Sequence, residues 1–306
     1  MNDLIMDLKP FIQSIEERKL KVEGLVVYQQ GRGELRHRWT PEQKRNVFSV
    51  SKSFTSIAVG MAIEEGKLNL SDRVSQVLKR EEGASGPESE RRWESLTLEH
   101  LLTMNMGHAE FKRPANLREA LSYELTRDPG TYFLYDNTCS FLASAMLTFA
   151  TGCKVRDYLL DRLFRPLGIA TPEWMESEDG YSLGATGLML TTAEMALFGR
   201  FLLGRGNWEG RQLVSAVWLD AATRTQVPTH AEVSTWAGKK QDDYDLGYGY
   251  QFWTCRHGAY RCDGKNGQFI IVIPSHNAVV AISSDEVRMK PILWAVWDYI
   301  FPFFPL

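Results

Sequence analysis

The stretch that decides the reading is Phe48-Ser49-Val50-Ser51-Lys52-Ser53-Phe54. From here the apolar pattern is helical: Phe54, Ile57, Ala58 and Met61 share a face, and Gly66 after Glu64-Glu65 supplies a C-cap. A spacing of three sets Ser49 and Lys52 on one side of the first turn. A serine hydroxyl is a poor nucleophile until a neighbouring base takes its proton. Lysine can be that base when desolvation and nearby cations lower its pKa. The helix N-terminus also favours negative charge developing on an acylated carbonyl. Alone, Ser-x-x-Lys is a weak signal, because a capping serine and a surface lysine write the same letters.

Working outward, residues 22–28 read as a strand, followed by a Gly31-Arg32-Gly33 turn and a second short strand, a β-hairpin. Before it, Leu4, Leu8, Phe11, Ile12 and Ile15 recur at helical spacing. Residues 79–92 are charged and carry Gly83, Gly86 and Pro87, which reads as a solvated loop. Residues 97–104 form a helix stopped by Gly107, and helical patterns run on to Leu202. In the last third, residues 248–253 are aromatic and strand-like. Residues 269–273 and 278–283 are strands around Pro274-Ser275-His276-Asn277, and a terminal apolar helix follows. Strands at both ends around a helical middle give an α/β (α+β type) fold with one sheet drawn from both termini. The expected division is a sheet domain from 1–75 and 196–306 and a helical domain over 76–195, with the site at their junction.

Two further motifs carry chemistry. In Tyr135-Asp136-Asn137, a tyrosine between two ammonium groups would have its phenol pKa pulled down and could relay a proton. Asn137 offers an amide to hold a substrate carbonyl and steady the lysine. Gly264-Lys265-Asn266-Gly267-Gln268-Phe269 enters a strand. A lysine followed by a close-approach glycine suits a strand edge lining a site, where the N–H of Gln268 would pair with that of Ser49 as an oxyanion hole. Each motif alone is common.

Their order, Ser-x-x-Lys early, Tyr-x-Asn after, Lys-x-Gly in the last strands, resembles the penicillin-recognising serine hydrolases. Within these it is similar to the class C β-lactamase family with its esterase (family VIII) and D,D-peptidase relatives. The surroundings are similar too: Leu98-Glu-His-Leu-Leu-Thr-Met-Asn-Met-Gly107, Pro129-Gly-Thr-Tyr-Phe-Leu-Tyr-Asp-Asn137, Ala185-Thr-Gly-Leu-Met-Leu-Thr-Thr192 and Leu246-Gly-Tyr-Gly-Tyr-Gln-Phe-Trp253. The resemblance implies an antiparallel sheet with flanking helices plus an all-helical domain. It implies Ser49 as acyl-enzyme nucleophile, Lys52 as its proton partner and Tyr135 as general acid/base. Asn137 would orient substrate, Lys265 would be the cation completing the pocket, and Asn266 and Gly267 would bind substrate. The family usually has Lys-Thr-Gly at the third motif. Asn266 in place of threonine argues against recognition of a β-lactam or peptide carboxylate.

Composition bounds the rest. The chain has 306 residues, 44% hydrophobic and 24% charged, with a net charge of -3. No basic excess points to nucleic acid, and a small-molecule substrate fits better. Cys139, Cys153, Cys255 and Cys262 form no C-x-x-C pair and read as free thiols. The six histidines show no dense ligand motif, so neither metal nor cofactor is expected, and Lys52 and Tyr135 leave His108 no catalytic part. Asp3, Asp7 and Lys9 break any apolar run at the start, and Asp298, Pro302 and Pro305 break the apolar end. The expectation is a cytoplasmic protein without membrane insertion and of open oligomeric state. Three functions compete: an esterase or amidase, a true β-lactamase or D,D-carboxypeptidase, and a non-catalytic binding pseudoenzyme.

Overall fold

The computed structural model describes residues 7–81, 86–229 and 243–304. Asp3, Leu4, Gly83 and Pro305, used above, lie outside them. Strands β1 (Val22–Gln29), β2 (Gly33–Arg38), β3 (Trp253–Thr254), β4 (Tyr260–Gly264), β5 (Gln268–Ile273) and β6 (Ala278–Ser284) form a sheet in the order β2-β1-β6-β5-β4-β3. Every pairing is antiparallel, with Val26 opposite both Arg36 and Ala281. The first and last strands of the chain segment therefore meet at β1–β6, which closes one sheet from both ends.

The main helices are α1 (Lys9–Glu17), α2 (Val50–Glu64), α3 (Leu98–Leu102), α4 (Asn137–Thr151), α5 (Thr192–Leu203) and α6 (Met289–Tyr299), of which α1, α2, α5 and α6 cover the sheet. Alternation along the strands sorts side chains by face. Leu25, Val27, Phe269, Ile271, Val280 and Ile282 pack under α1 and α6. Val26, Ile270, Val272, Val279 and Ala281 belong to the larger core that includes α2 and α5. With helices on both faces, β5 and β6 are buried throughout, which is why they read as unbroken apolar runs.

Helix α2 runs through the middle of the molecule, and its residues from Val50 to Ala62 are all buried. Phe54 stacks between Phe198 and Phe164 with ring centroids at 3.7 and 5.7 Å. Truncating such a side chain costs about 3–5 kcal/mol. Beyond α2 lies a layer of helices that includes α3 and α4. Thr97 caps α3 in a capping box with His100, and Asp136 caps α4 by accepting from the N–H of Thr138.

Two local expectations are corrected. The charged segment 79–92 is not all loop: Pro87–Ser95 is a helix, with proline in its first turn and Glu88 and Glu90 facing the positive end of its dipole. Its anchor is Trp93, fully buried, whose Nε1 donates to the carbonyl of Tyr123 at 3.0 Å. The aromatic run 248–253 is mostly not strand. Gln251 has φ +68, and its side chain and carbonyl are spent on Leu101, Leu102 and Ser53, so the chain folds back before it pairs at Trp253. Among the described residues no single helix is long and apolar enough to cross a membrane.

Candidate active site

Ser49 sits at the entry to α2, directly after a backbone kink. Phe48 has φ +48, a left-handed conformation that a bulky side chain avoids. Asn46 holds the kink: its Oδ1 accepts from the N–H of Phe48 at 2.8 Å and from the N–H of Gly187 at 3.1 Å. The turn is tight enough that Lys52 N–H already donates to the Ser49 carbonyl at 3.0 Å. Ser49 is half-buried, with its side chain turned to the same side as Lys52.

Lys52 is buried to 1% exposure. Its Nζ donates to Asn137 Oδ1 at 2.6 Å, to the Ala185 carbonyl at 3.0 Å and to Ser49 Oγ at 3.3 Å. Burial pulls its pKa down to about 7, against Asp136 and Cys139, which raise it, and with Arg113, which lowers it further. A lysine so placed is part neutral near pH 7 and can take a hydroxyl proton. The Ala185 carbonyl arrives because α2 binds that segment: Ser51 Oγ accepts from Leu188 N–H, and Thr55 Oγ1 donates to the Gly184 carbonyl at 2.9 Å.

Tyr135 completes the cluster, its ring centroid 5.0 Å from Lys52 Nζ. Its ring lies among Trp253 at 5.3 Å and Tyr248 at 5.9 Å. Here the sequence-based expectation is corrected. Burial raises the phenol pKa well above its usual value, outweighing the lowering by contacts with Ser49 and Trp253. Among the described residues a single ammonium, that of Lys52, lies at this ring, and enclosure in protein penalises the phenolate more. Tyr135 therefore stays a neutral phenol, fitted to donate.

Lys265 does not join the cluster, which corrects the expected pocket cation. It is exposed in the turn between β4 and β5 and makes no hydrogen bond or ion pair among the described residues. Asn266 turns away to donate to Asp285 at 2.9 Å, and Gly267, at φ +83, shapes the turn. Gln268 is also misplaced as an oxyanion donor. It lies on β5 opposite Gly264, with β4 between it and the outer edge, and its side chain is bonded to Ser284.

The physical reason is the register of the hairpin. The close-approach glycine is Gly264, where a Cβ would overlap the Val47 carbonyl oxygen. This brings the end of β4 against the residues leading into Ser49. β3 pairs only with Tyr260 and Arg261, so Cys262, Asp263 and Gly264 have no strand on their outer side among the described residues. The guanidinium of this strand is Arg261, fully buried, whose Nε donates to Asp263 Oδ2 at 2.8 Å and which lies 4.3 Å from the ring centroid of Tyr244.

Sequence reading gave no part to Asn46 or the Ala185 carbonyl, set His108 aside, and did not see that His108, Asp136 and Cys139 come together as a buried trio. The donor atoms of that trio lie within 4.8 Å of one another, so they could hold a metal ion. Asp136 is already engaged by two backbone N–H groups, and Lys52 stands next to it, so a polar network suits the place better than a cation. The four cysteines are free thiols.

Ser49, the buried Lys52 and Tyr135 thus stand together at the entry of α2. The β-lactamase family model matches residues 12–291, and the chain belongs to that family. A β-lactamase of Escherichia coli K12 is 28% identical over 127 residues, 39% of this chain and about a third (32%) of that protein. A β-lactamase from Mycobacterium bovis superposes with a TM-score of 0.70 at 21% identity, covering 96% of this chain and 100% of that one. An octameric penicillin-binding protein homologue from Pyrococcus abyssi gives 0.71 at 18%, covering 97% and 77%. At these identities the solved structures establish the fold alone.

Proposed function

We propose that the protein is a serine hydrolase that forms an acyl-Ser49 intermediate with a small ester, amide or lactone. The observation that carries this is the triple contact of Lys52 Nζ with Ser49 Oγ, Asn137 Oδ1 and the Ala185 carbonyl, which holds a buried amine ready to lose its proton.

In acylation, neutral Lys52 takes the Ser49 proton while Oγ bonds to the substrate carbonyl carbon. The tetrahedral oxyanion is met by the Ser49 N–H at the head of α2 and by the outer edge of β4 at Cys262–Gly264. As the bond to the leaving group breaks, Tyr135 donates its proton to the departing oxygen or nitrogen and recovers one from Lys52. Deacylation repeats the steps with water attacking the ester carbon and Ser49 as leaving group.

A β-lactam substrate is the second reading, favoured by the E. coli relative. The exposed position of Lys265 weighs against it, because a substrate carboxylate would meet no lysine at that place. The test compares kcat/KM for a p-nitrophenyl ester and for nitrocefin, with Ser49→Ala as control. The ester is expected to win by at least about a hundredfold, with the variant inactive on both. Efficient nitrocefin turnover would transfer the protein to the β-lactam-cleaving members. Retained activity in Ser49→Ala would remove the acyl-serine reading altogether.

A further inference from the structure

Phe48 carries backbone strain that the fold does not ask of its side chain. It takes φ +48 directly before Ser49. A bulky side chain disfavours this left-handed conformation, whereas glycine adopts it freely and asparagine tolerates it. Most other non-glycine residues with positive φ are polar side chains in turns, such as Lys19, Arg205, Asn266 and Asn277. Met104 and Gln251 are buried, and each has a reason inside the protein. Met104 is part of the core, and the Gln251 side chain bonds to Leu101, Leu102 and Ser140.

The bonds that hold the kink do not involve the Phe48 ring. Asn46 Oδ1 accepts from the Phe48 N–H at 2.8 Å, and the Val47 N–H donates to the Leu188 carbonyl at 2.9 Å. The Phe48 carbonyl accepts from the Ser51 N–H at 3.0 Å. A glycine would make all of these bonds with less strain. Nor is the ring built into the packing. Phe48 is half-buried, yet it belongs to neither hydrophobic core nor to the side chains packed against them, and it makes no aromatic contact among the described residues. A lone half-exposed phenyl is ordinary on a surface. One held in a strained conformation next to a reactive serine points to function. Lys52 reaches Ser49 Oγ from the buried side, so substrate must arrive from the solvent side, which Phe48 shares. Consecutive Cα atoms are about 3.8 Å apart, which puts the ring within reach of groups on the carbonyl that Ser49 attacks.

We propose that Phe48 is a specificity-determining residue: its ring is the apolar wall against which a hydrocarbon group beside the scissile carbonyl packs. The substrate class is then esters or amides with an apolar group next to that carbonyl, in preference to short ones. This rests on the acyl-serine reading and adds the substrate class to it. A purely conformational role, in aiming Ser49, would change long and short substrates by the same factor. A substrate contact changes their ratio.

The experiment measures kcat/KM at constant pH for two series, with Ser49→Ala as control. One varies the acyl group (p-nitrophenyl acetate, butyrate and hexanoate) and the other the leaving group (methyl, butyl and benzyl acetate). The proteins are the wild type, Phe48→Gly, Phe48→Asn and Phe48→Tyr. Gly and Asn fit the left-handed backbone and lack the ring, so either serves if the other does not fold. In both, the ratio of largest to smallest substrate is expected to fall about tenfold or more in at least one series. The Tyr variant keeps the ring and should hold that ratio within about threefold of the wild type. Thermal melts of the Gly and Asn variants should show a Tm no more than about 5 °C below the wild type, because relief of strain offsets the lost ring. Ratios unchanged within about twofold in both series would overturn the proposal. So would a larger fall of Tm in both ring-free variants, which would make the ring a packing residue. Absence of Ser49-dependent hydrolysis in the wild type would remove the functional reading and this proposal together. Unchanged ratios alongside Ser49-dependent turnover would remove this proposal alone.

Discussion

Lys52 Nζ donates to Asn137 Oδ1 at 2.6 Å, joining the first turn of α2 to the first residue of α4 across the interface of two helices. The amide accepts without adding charge, so burial keeps the lysine near pH 7. Asn137→Asp would put an anion in this position and tighten the proton on Lys52. The acid limb of kcat/KM is expected to rise by one to two pH units, roughly a tenfold or larger loss at pH 7, measured as a pH–rate profile.

The same burial has a stability signature. Lys52 titrates at about 7 when folded and at 10.5 when unfolded. Between these values the unfolded chain binds more protons, so stability rises with pH. Referred to Lys52→Met, the wild type is expected to gain on the order of 3–5 kcal/mol from pH 7 to 10.5. Denaturant melts of both proteins at several pH values read this difference. Parallel curves would show that the lysine is not desolvated in the native state.

Lys265 lies outside the cluster, in an exposed turn. Lys265→Ala should keep kcat/KM on a neutral ester within about threefold, whereas Lys52→Ala should lose more than about a thousandfold. A large loss in the Lys265 variant would show that the turn reaches substrate during turnover.

Gly264 has no room for a side chain against the Val47 carbonyl. Gly264→Ala is expected to cost about 1–3 kcal/mol and to lower kcat as well, because Val47 leads directly into the Phe48 kink and Ser49. Thermal melts and ester kinetics on the purified variant check both effects. Gly267→Ala, which meets side-chain atoms of Ile292 and Ser284 and adds the strain of φ +83, should lower stability without the same loss of kcat.

Much was legible in the residues themselves. The hairpin of β1 and β2, the helix from Val50 with its Gly66 stop, and the pair β5–β6 follow from periodicity and turn chemistry, which act over a few neighbours. The placement of Ser49 beside Lys52 is legible for the same reason, since one helical turn joins them. Family order then brought Tyr135 and Asn137 to that pair, although they lie far along the chain.

Other features depend on distant segments meeting. The third motif looked like Lys265-Asn266-Gly267, but the hairpin register sets Gly264 against Val47 and leaves the lysine in solvent. Tyr135 seemed fit for a lowered pKa, but its enclosure raises it, and no local pattern reports enclosure. Asn46 carries no motif, and what Ala185 and Asp136 do within theirs comes from backbone groups and neighbours far away in the chain. The sequence by itself determined most of the elements and the serine–lysine pair, because these are set by short-range periodicity. Only the tertiary structure decided which groups surround that pair and which proton each holds, because burial and charge proximity arise when the sheet and helices pack together.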